Sequence, residues 1–402
     1  MGCRQHVPVW HERTAKWVKD GKLVLLGITQ EQHPDRCRLF AQWKGLTWPI
    51  LHDPINLMGS TGVPILVAID EHGIVRQVEP TLEKFEKEFI DKKFADDAPP
   101  LQEKSAKPDI DLLRRRAKAT PAAGTWRRLG DALALWGGAA CINEALDAYG
   151  RALKLEPKHG PTHFRFGVCC RRRFESKDRQ SGDFQAAVDA WGKALALDPN
   201  QYIWRRRIQQ YGPRLDKPYA FYDWVEQAVK DIKKRGDKPV PLTVPPQGAE
   251  LAKPVRRIEE QTTKVKEPDP EGKIHRDNKG LIGAEVTVVP ARVLPGKSAR
   301  VHVSFRPDDK RKAHWNNESG PLQLWIDVPE GWEISKRSLT VGPADKPESR
   351  EERKLEFEAK APSGASGRVV LKAYALYYVC EDVGGTCLFL RRDLKVAIEV
   401  GK

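Results

Sequence analysis

No apolar run in the 402-residue sequence approaches the roughly 20 residues that span a bilayer, so no transmembrane segment is expected. No signal-peptide pattern precedes Gly2, which taken literally predicts a cytoplasmic protein. Basic residues are plentiful, yet no nucleic-acid recognition motif accompanies them, and nucleic acid is not expected as a partner. Cys3, His6 and His11 lack zinc spacing and a fourth ligand; no metal or nucleotide cofactor is implied. One further absence carries more weight. Cys3 stands near the start of an amphipathic stretch, with Pro8 five places on, but the earlier cysteine of a redox C-x-x-C is not in the sequence.

The composition, 40% hydrophobic and 31% charged, describes globular protein with some solvated linker. The net charge of +14 is uneven: residues 99–235 hold 27 Lys and Arg against 16 Asp and Glu, whereas residues 1–98 hold 13 against 14. Arginine triplets at 114–116, 171–173 and 205–207 mark the basic segment. They fit solvated helix faces, or a patch for an acidic partner or an anionic envelope surface. The seven cysteines are Cys3, Cys37, Cys141, Cys169, Cys170, Cys380 and Cys387. The middle four sit within helical patterns, as small buried thiols do, and Cys380 with Cys387 forms a local pair.

Within residues 1–98, Val7, Trp10, Thr14 and Trp17 recur at helical spacing, ending at Asp20-Gly21. KLVLLGIT (22–29) reads as a strand buried on both faces. His33-Pro34-Asp35 opens a second helix that stops at Gly45, and WPILHDP follows as an extended piece. GVPILVAIDEHGIVRQVEP gives strand, tight turn and strand, and TLEKFEKEFIDKKF closes as a charged helix. Such alternation implies an α/β layer.

This segment resembles thioredoxin-like domains of the TlpA and redoxin type. The resemblance rests on C-x-x-x-x-P from Cys3 to Pro8, on Gly62-Val63-Pro64 before a strand, and on ILVAIDEHGIV. It implies that Cys3 is the second, resolving cysteine of the active site and that Pro64 is the family's cis-proline, shaping substrate contact. A thiolate at a helix N-terminus is stabilised by the dipole, and a second thiol one turn away resolves the mixed disulfide. The nucleophilic cysteine is expected directly upstream of Met1, with a further strand. That start would bring a cell-envelope, periplasmic or secreted location in place of the cytoplasm. A peroxiredoxin-like antioxidant is an alternative within the same fold.

Residues 99–124 read as linker. Beyond them EALDAYGRALKLEPKH and QAAVDAWGKALALDPN align without gaps, shifted by 42 residues. The pattern resembles the second helix of a tetratricopeptide repeat, with first helices at Trp126–Gly130 and Phe164–Gly167 and a degenerate third unit after Gln201. Residues 125–234 are therefore expected to form helical repeats that hold a protein partner in a groove.

Residues 235–279, rich in Pro and Lys, read as solvated linker. From 280 to 402 short alternating runs separated by Gly, Pro and Asp turns predict an antiparallel, immunoglobulin-like β-sandwich. Its last hairpin, YALYYVCEDVGGTCLFLRRDL, places Cys380 and Cys387 around a six-residue turn containing Gly384 and Gly385. The stretch resembles the N-terminal domain of DsbD thiol reductases, which implies a redox pair; the residues alone fit a structural staple equally well. His314-Trp315-Asn316-Asn317 falls in a predicted loop with no assigned chemistry.

The expected fold class is thus multidomain: thioredoxin-like α/β, helical repeats and an all-β sandwich. The expected activity is thiol–disulfide exchange on protein thiols and disulfides through Cys3, Pro64 and the Cys380–Cys387 pair. Its rival is a non-catalytic scaffold built on a disabled thioredoxin fold.

Overall fold

The computed structural model describes residues 2–95, 107–257, 265–381 and 386–401. It is a mixed α/β chain divided into two compact units, neither of them a continuous stretch. The first takes residues 1–178, 193–206 and 222–246; the second takes 179–192, 207–221 and 247–402.

The first unit begins with α1 (Gly2–Lys19), which carries Pro8 within it and buries Trp10, Thr14 and Trp17 at helical spacing. Strand β1 (Gly27–Thr29) pairs in parallel with β2 (Ile50–His52). Between them, α2 (Pro34–Lys44) starts on a proline, whose missing N–H costs nothing there. It ends on Gly45 at φ 63°, whose N–H reaches back to the carbonyls of Ala41 and Gln42. Strands β3 (Val67–Ile69) and β4 (Val75–Val78) form a separate antiparallel pair. The turn joining them is held by Asp70, whose carboxylate accepts the N–H groups of His72 and Ile74 at 2.9 Å each. Helix α3 (Leu82–Phe85) continues as a wider turn over Glu86–Ile90. Its Phe85 and Phe89 pack with Trp10, Trp17 and Ala68, covering one side of the β3–β4 pair.

The run 22–29 departs from its expected burial on both faces. Only Gly27–Thr29 is strand, and Val24, Leu26 and Ile28 are exposed. The physical reason is pairing: among the described residues β1 bonds to β2 alone and β3 to β4 alone, so each keeps an open edge.

Residues read as linker between 99 and 124 contain α4 (Ile110–Ala119), capped by the Asp109 carboxylate accepting from the Leu112 N–H. It is fixed to the next layer by Arg114, whose guanidinium binds Glu144 at 2.6 Å. Helices α5 (Ala123–Trp136), α6 (Ile142–Leu155), α7 (Gly160–Phe174), α8 (Asp183–Leu197), α9 (Tyr202–Tyr211) and α10 (Val225–Lys234) follow. Ala145, Tyr149 and Ala152 in α6 and their equivalents Ala187, Trp191 and Ala194 in α8 are all fully buried. Gly130 in α5 is small of necessity, because a Cβ there would lie 2.7 Å from the Tyr149 ring. The Tyr149 hydroxyl donates to Asp131 at 2.8 Å, and Arg165 of α7 binds the same carboxylate at 2.8 Å.

The second unit is built on two sheets, antiparallel except that the edge strand β6 runs parallel to β15. One has the order β10 (Glu333–Ile334), β13 (Arg353–Lys360), β7 (Ser298–Pro307), β5 (Ile282–Val289). The other runs β11 (Ser338–Val341), β9 (Leu322–Ile326), β14 (Gly367–Glu381), β15 (Cys387–Val400), β6 (Arg292–Val293). A short pair, β8 (Ala313–Asn316) and β12 (Glu348–Ser349), joins the far end of β14. Val301, Val303, Phe305 and Phe357 of the first sheet and Leu324, Leu371, Ala375 and Tyr377 of the second form one buried core.

The segment 235–279 is also not simply solvated. In the first unit Arg36 donates to the Val244 carbonyl at 2.9 Å. In the second, Arg391 binds the Asp269 carboxylate at 2.8 Å, and the Tyr374 hydroxyl accepts the Asp269 N–H at 3.1 Å. Proline-rich composition foretold extended backbone but not these side-chain anchors.

Candidate redox site

The candidate site residues fall into different units, Cys3 and Pro64 in the first and Cys380 and Cys387 in the second. Cys3 lies in the opening turn of α1, half-buried and unbonded. Pro64 sits against that turn: a Cβ on Gly2 would be 3.5 Å from the proline Cδ. The Val63–Pro64 peptide bond is cis. Burial pushes the Cys3 thiol above its ordinary range, outweighing the opposing effects of its backbone hydrogen bond and Arg206. Cys37 in α2 is likewise half-buried and pushed up by burial, with the Thr29 hydroxyl acting against it. Cys169 and Cys170 are buried as read, and burial raises the Cys169 thiol to about 12. Burial thus works against the reactive thiolate form at Cys3, Cys37 and Cys169.

Cys380 and Cys387 are bonded, with Cα atoms 4.0 Å apart. They face each other as the last pair of the β14–β15 ladder. Alternation along β14 explains their place. Leu371, Ala373, Ala375, Tyr377 and Val379 point into the core, which sends Cys380 to the opposite face. There Cys380 is buried while Cys387 is exposed. The next pair on the same face is Tyr378 and Phe389, stacked with centroids 4.5 Å apart. The turn containing Gly384 and Gly385 lies outside the described residues.

His314 and Trp315, assigned to a loop from sequence, are in β8, and His314 is the register partner of Cys380. Trp315 points into the core, where its indole N–H donates to the Glu351 carbonyl at 2.9 Å. The sequence signal for β8 is a mere four residues, AHWN. Its pairing with a strand more than 60 positions on has no local signature.

The arginine triplets are largely occupied within the fold. Arg171 binds Glu175 at 2.8 Å, Arg172 donates to the Ala134 carbonyl at 2.6 Å, and Arg173 to Asn143 at 3.0 Å. A shallow cavity of about 300 Å³ beside α4, α5 and α6 mixes Arg114, Lys118 and Arg151 with Glu144 and Asp147. Among the described residues, no cluster of three or more His, Cys, Asp or Glu is arranged to hold a metal ion, and no helix is long and apolar enough to cross a membrane.

No protein-family model matches the chain, and no curated protein matches it. Parts of the structure are similar to AvmM, which catalyses macrocyclisation in alchivemycin A biosynthesis (14% identity, 32% of this chain and 96% of that one, TM-score 0.20). They are also similar to the sporulation control protein Spo0M of Bacillus subtilis (15% identity, 30% and 50%, TM-score 0.16). A third similarity is to AggA, the major subunit of aggregative adherence fimbriae type I of Escherichia coli (12%, 30% and 95%, TM-score 0.18). Likenesses of this size identify neither a family nor an activity.

Proposed function

We propose that the protein is a thiol–disulfide exchange protein whose working pair is Cys380–Cys387. The observation that carries this reading is a formed disulfide with one cysteine buried and the other exposed beside a stacked aromatic pair. An exposed cysteine of the bonded pair gives an attacking thiolate a way in, and flat rings beside it give a partner chain apolar surface to rest on. The bond closes a loop of only 7 residues' separation, and in the chain-entropy account short loops contribute little stability. The resemblance of this hairpin to the DsbD N-terminal domain points the same way. So does the thioredoxin-like order of the first segment, where Pro64 lies against the turn holding Cys3. The repeated helices α5 to α8 then serve as a protein-binding module of the tetratricopeptide kind.

One observation favours the rival scaffold reading: burial pushes the Cys3 thiol above its ordinary range, and it has no disulfide partner among the described residues. The test separates the two. The folded protein is treated with dithiothreitol, its free thiols are alkylated and counted by mass, and its circular dichroism is recorded in parallel. Exchange activity predicts that Cys380 and Cys387 become alkylated while the native spectrum persists. A bond that survives until the chain unfolds would leave the scaffold reading.

A further inference from the structure

We propose that His314, oriented by Glu348, is a catalytic acid–base residue that stabilises and protonates the Cys380 thiolate when the Cys380–Cys387 bond opens; this rests on the exchange reading above. Three strands set up the arrangement. In β8, β14 and β15, His314, Cys380 and Cys387 occupy one row, each the direct register partner of the next. Direct partners in antiparallel strands share a face, with Cβ atoms about 4.5–5.5 Å apart. The imidazole therefore neighbours buried Cys380 on the side away from Cys387.

His314 is itself buried, with a side chain only 5% exposed, and its Nε2 lies 3.3 Å from the Glu348 carboxylate. Glu348 comes from β12, which pairs with β8. A carboxylate on one ring nitrogen fixes the ring's orientation. That leaves Nδ1 as the nitrogen to serve the sulfur. Among the described residues, three further charges around this corner are engaged elsewhere. Glu381, next to Cys380 in β14, pairs with Lys279 at 2.6 Å. Arg350 donates to the Lys312 carbonyl at 3.1 Å. Arg353 binds Glu351 at 3.0 Å and lies over Trp315, on the core side of β8.

Exposure decides the direction of the chemistry. An incoming thiolate of a dithiol reaches Cys387, and a sulfur–sulfur bond forms there as the Cys380–Cys387 bond breaks. The electron pair leaves on the Cys380 sulfur. A bare thiolate at a buried position is costly, and the neighbouring imidazolium offsets that cost and passes its proton to it. The dithiol's second thiol, as thiolate, then attacks its own mixed-disulfide sulfur and releases Cys387 as a thiolate that is protonated from solvent. Two thiols of the donor become one disulfide, and one disulfide here becomes two thiols. In the reverse direction His314 takes the Cys380 proton.

The experiment uses the full chain and dithiothreitol as the probe, with opening of the Cys380–Cys387 bond timed by quench alkylation from mildly acidic to alkaline pH. Rates are expressed per dithiothreitol thiolate. In the wild type this rate is enhanced on the acidic side and falls towards alkaline pH as imidazolium is lost. His314→Gln is expected to lower the acidic-side rate on the order of ten-fold or more and to flatten the profile. Glu348→Gln, at a solvent-exposed carboxylate, lowers it less in the same direction without threatening the fold, and Glu348→Asp recovers part of the loss. Thermal unfolding of each variant confirms its structure. An unchanged profile in a folded His314→Gln, or in Glu348→Gln if the first does not fold, overturns the proposal while the exchange reading stands. A wild-type bond that resists dithiothreitol in the folded protein overturns both.

Discussion

Valine, leucine and isoleucine line the strands of both units, but only in the second are they covered. Val301, Leu371 and Ile398 of the two-sheet unit are fully buried, while Ile28, Val67 and Val78 of the first unit's strands are 49%, 47% and 66% exposed. The residue types are the same; the pairing differs. Strands β7 and β14 have hydrogen-bonded neighbours on both edges, and a second sheet faces them. Strands β1 and β3 each have one neighbour, and α1 with α3 covers one side of the β3–β4 pair. An apolar strand contributes to stability only as far as something closes over it.

The largest effect should come from opening the covered core. Phe305, towards the end of β7, is wholly buried, and Phe305→Ala is expected to cost about 3–5 kcal/mol. Denaturant unfolding followed by tryptophan fluorescence measures it, and a loss below 1 kcal/mol would erase the contrast between the units. An intermediate effect belongs to the helices. Ala187 has no free surface, so Ala187→Leu should overpack α8 and cost about 1–3 kcal/mol. A transition unmoved by this change would count against close packing at the repeated alanines.

A third effect is visible only as a slope in pH. Lys217 is buried, and its ammonium donates to the carbonyls of Gln209 and Gln210 at 2.7 and 2.8 Å. Burial, with Arg300 adding to it, brings its pKa down from 10.5 to about 7 against the pull of Glu356, Glu250 and Glu358. The folded state thus loses this proton first. Between those two values the unfolded chain binds more protons, and stability rises with pH; below about 7 both states are protonated and the contribution is flat. The variant Lys217→Met should lack that rise, so the two stability curves diverge by at most about 1.4 kcal/mol per pH unit. Parallel curves across this range would mean that the amine keeps its charge inside the fold.

How much of this was legible beforehand depends on the range of the interaction. The helix from Pro34 to Gly45, the Asp70–Gly73 turn and the buried face of α1 are set by residues a few positions apart, and the sequence pattern locates each. The Cys380–Cys387 pairing was visible because both lie on one hairpin. His314 was not, because its meeting with Cys380 depends on β8 reaching a distant strand. The helix over 110–119 was hidden by the many charges around Leu112, Leu113 and Ala117. Asp269 looked like linker because the partners that hold it, Tyr374 and Arg391, are more than 100 residues away.

The smallest expected effect tests the exposed half of the comparison directly. Leu26 lies just before β1 with most of its side chain in water, so Leu26→Ser removes little buried apolar area. A change within about 0.5 kcal/mol is expected, as for surface substitutions generally. The same holds for Val78→Thr at the end of β4, where the β-branched shape and strand preference are retained. Leu26 also lies where the open edge of β1 would matter, and Val78 where that of β4 would. If another chain segment pairs with those edges in the protein as it exists, Leu26 is covered by it, and the loss on Leu26→Ser rises towards the 2–5 kcal/mol typical of large aliphatic side chains removed from a core. Amide exchange of Gly27, Ile28, Val67 and Ile69 gives the independent reading. Rapid exchange at the N–H groups of these strands that β2 and β4 do not bond goes with a small loss and an uncovered edge; strong protection there goes with a large loss and a neighbouring strand.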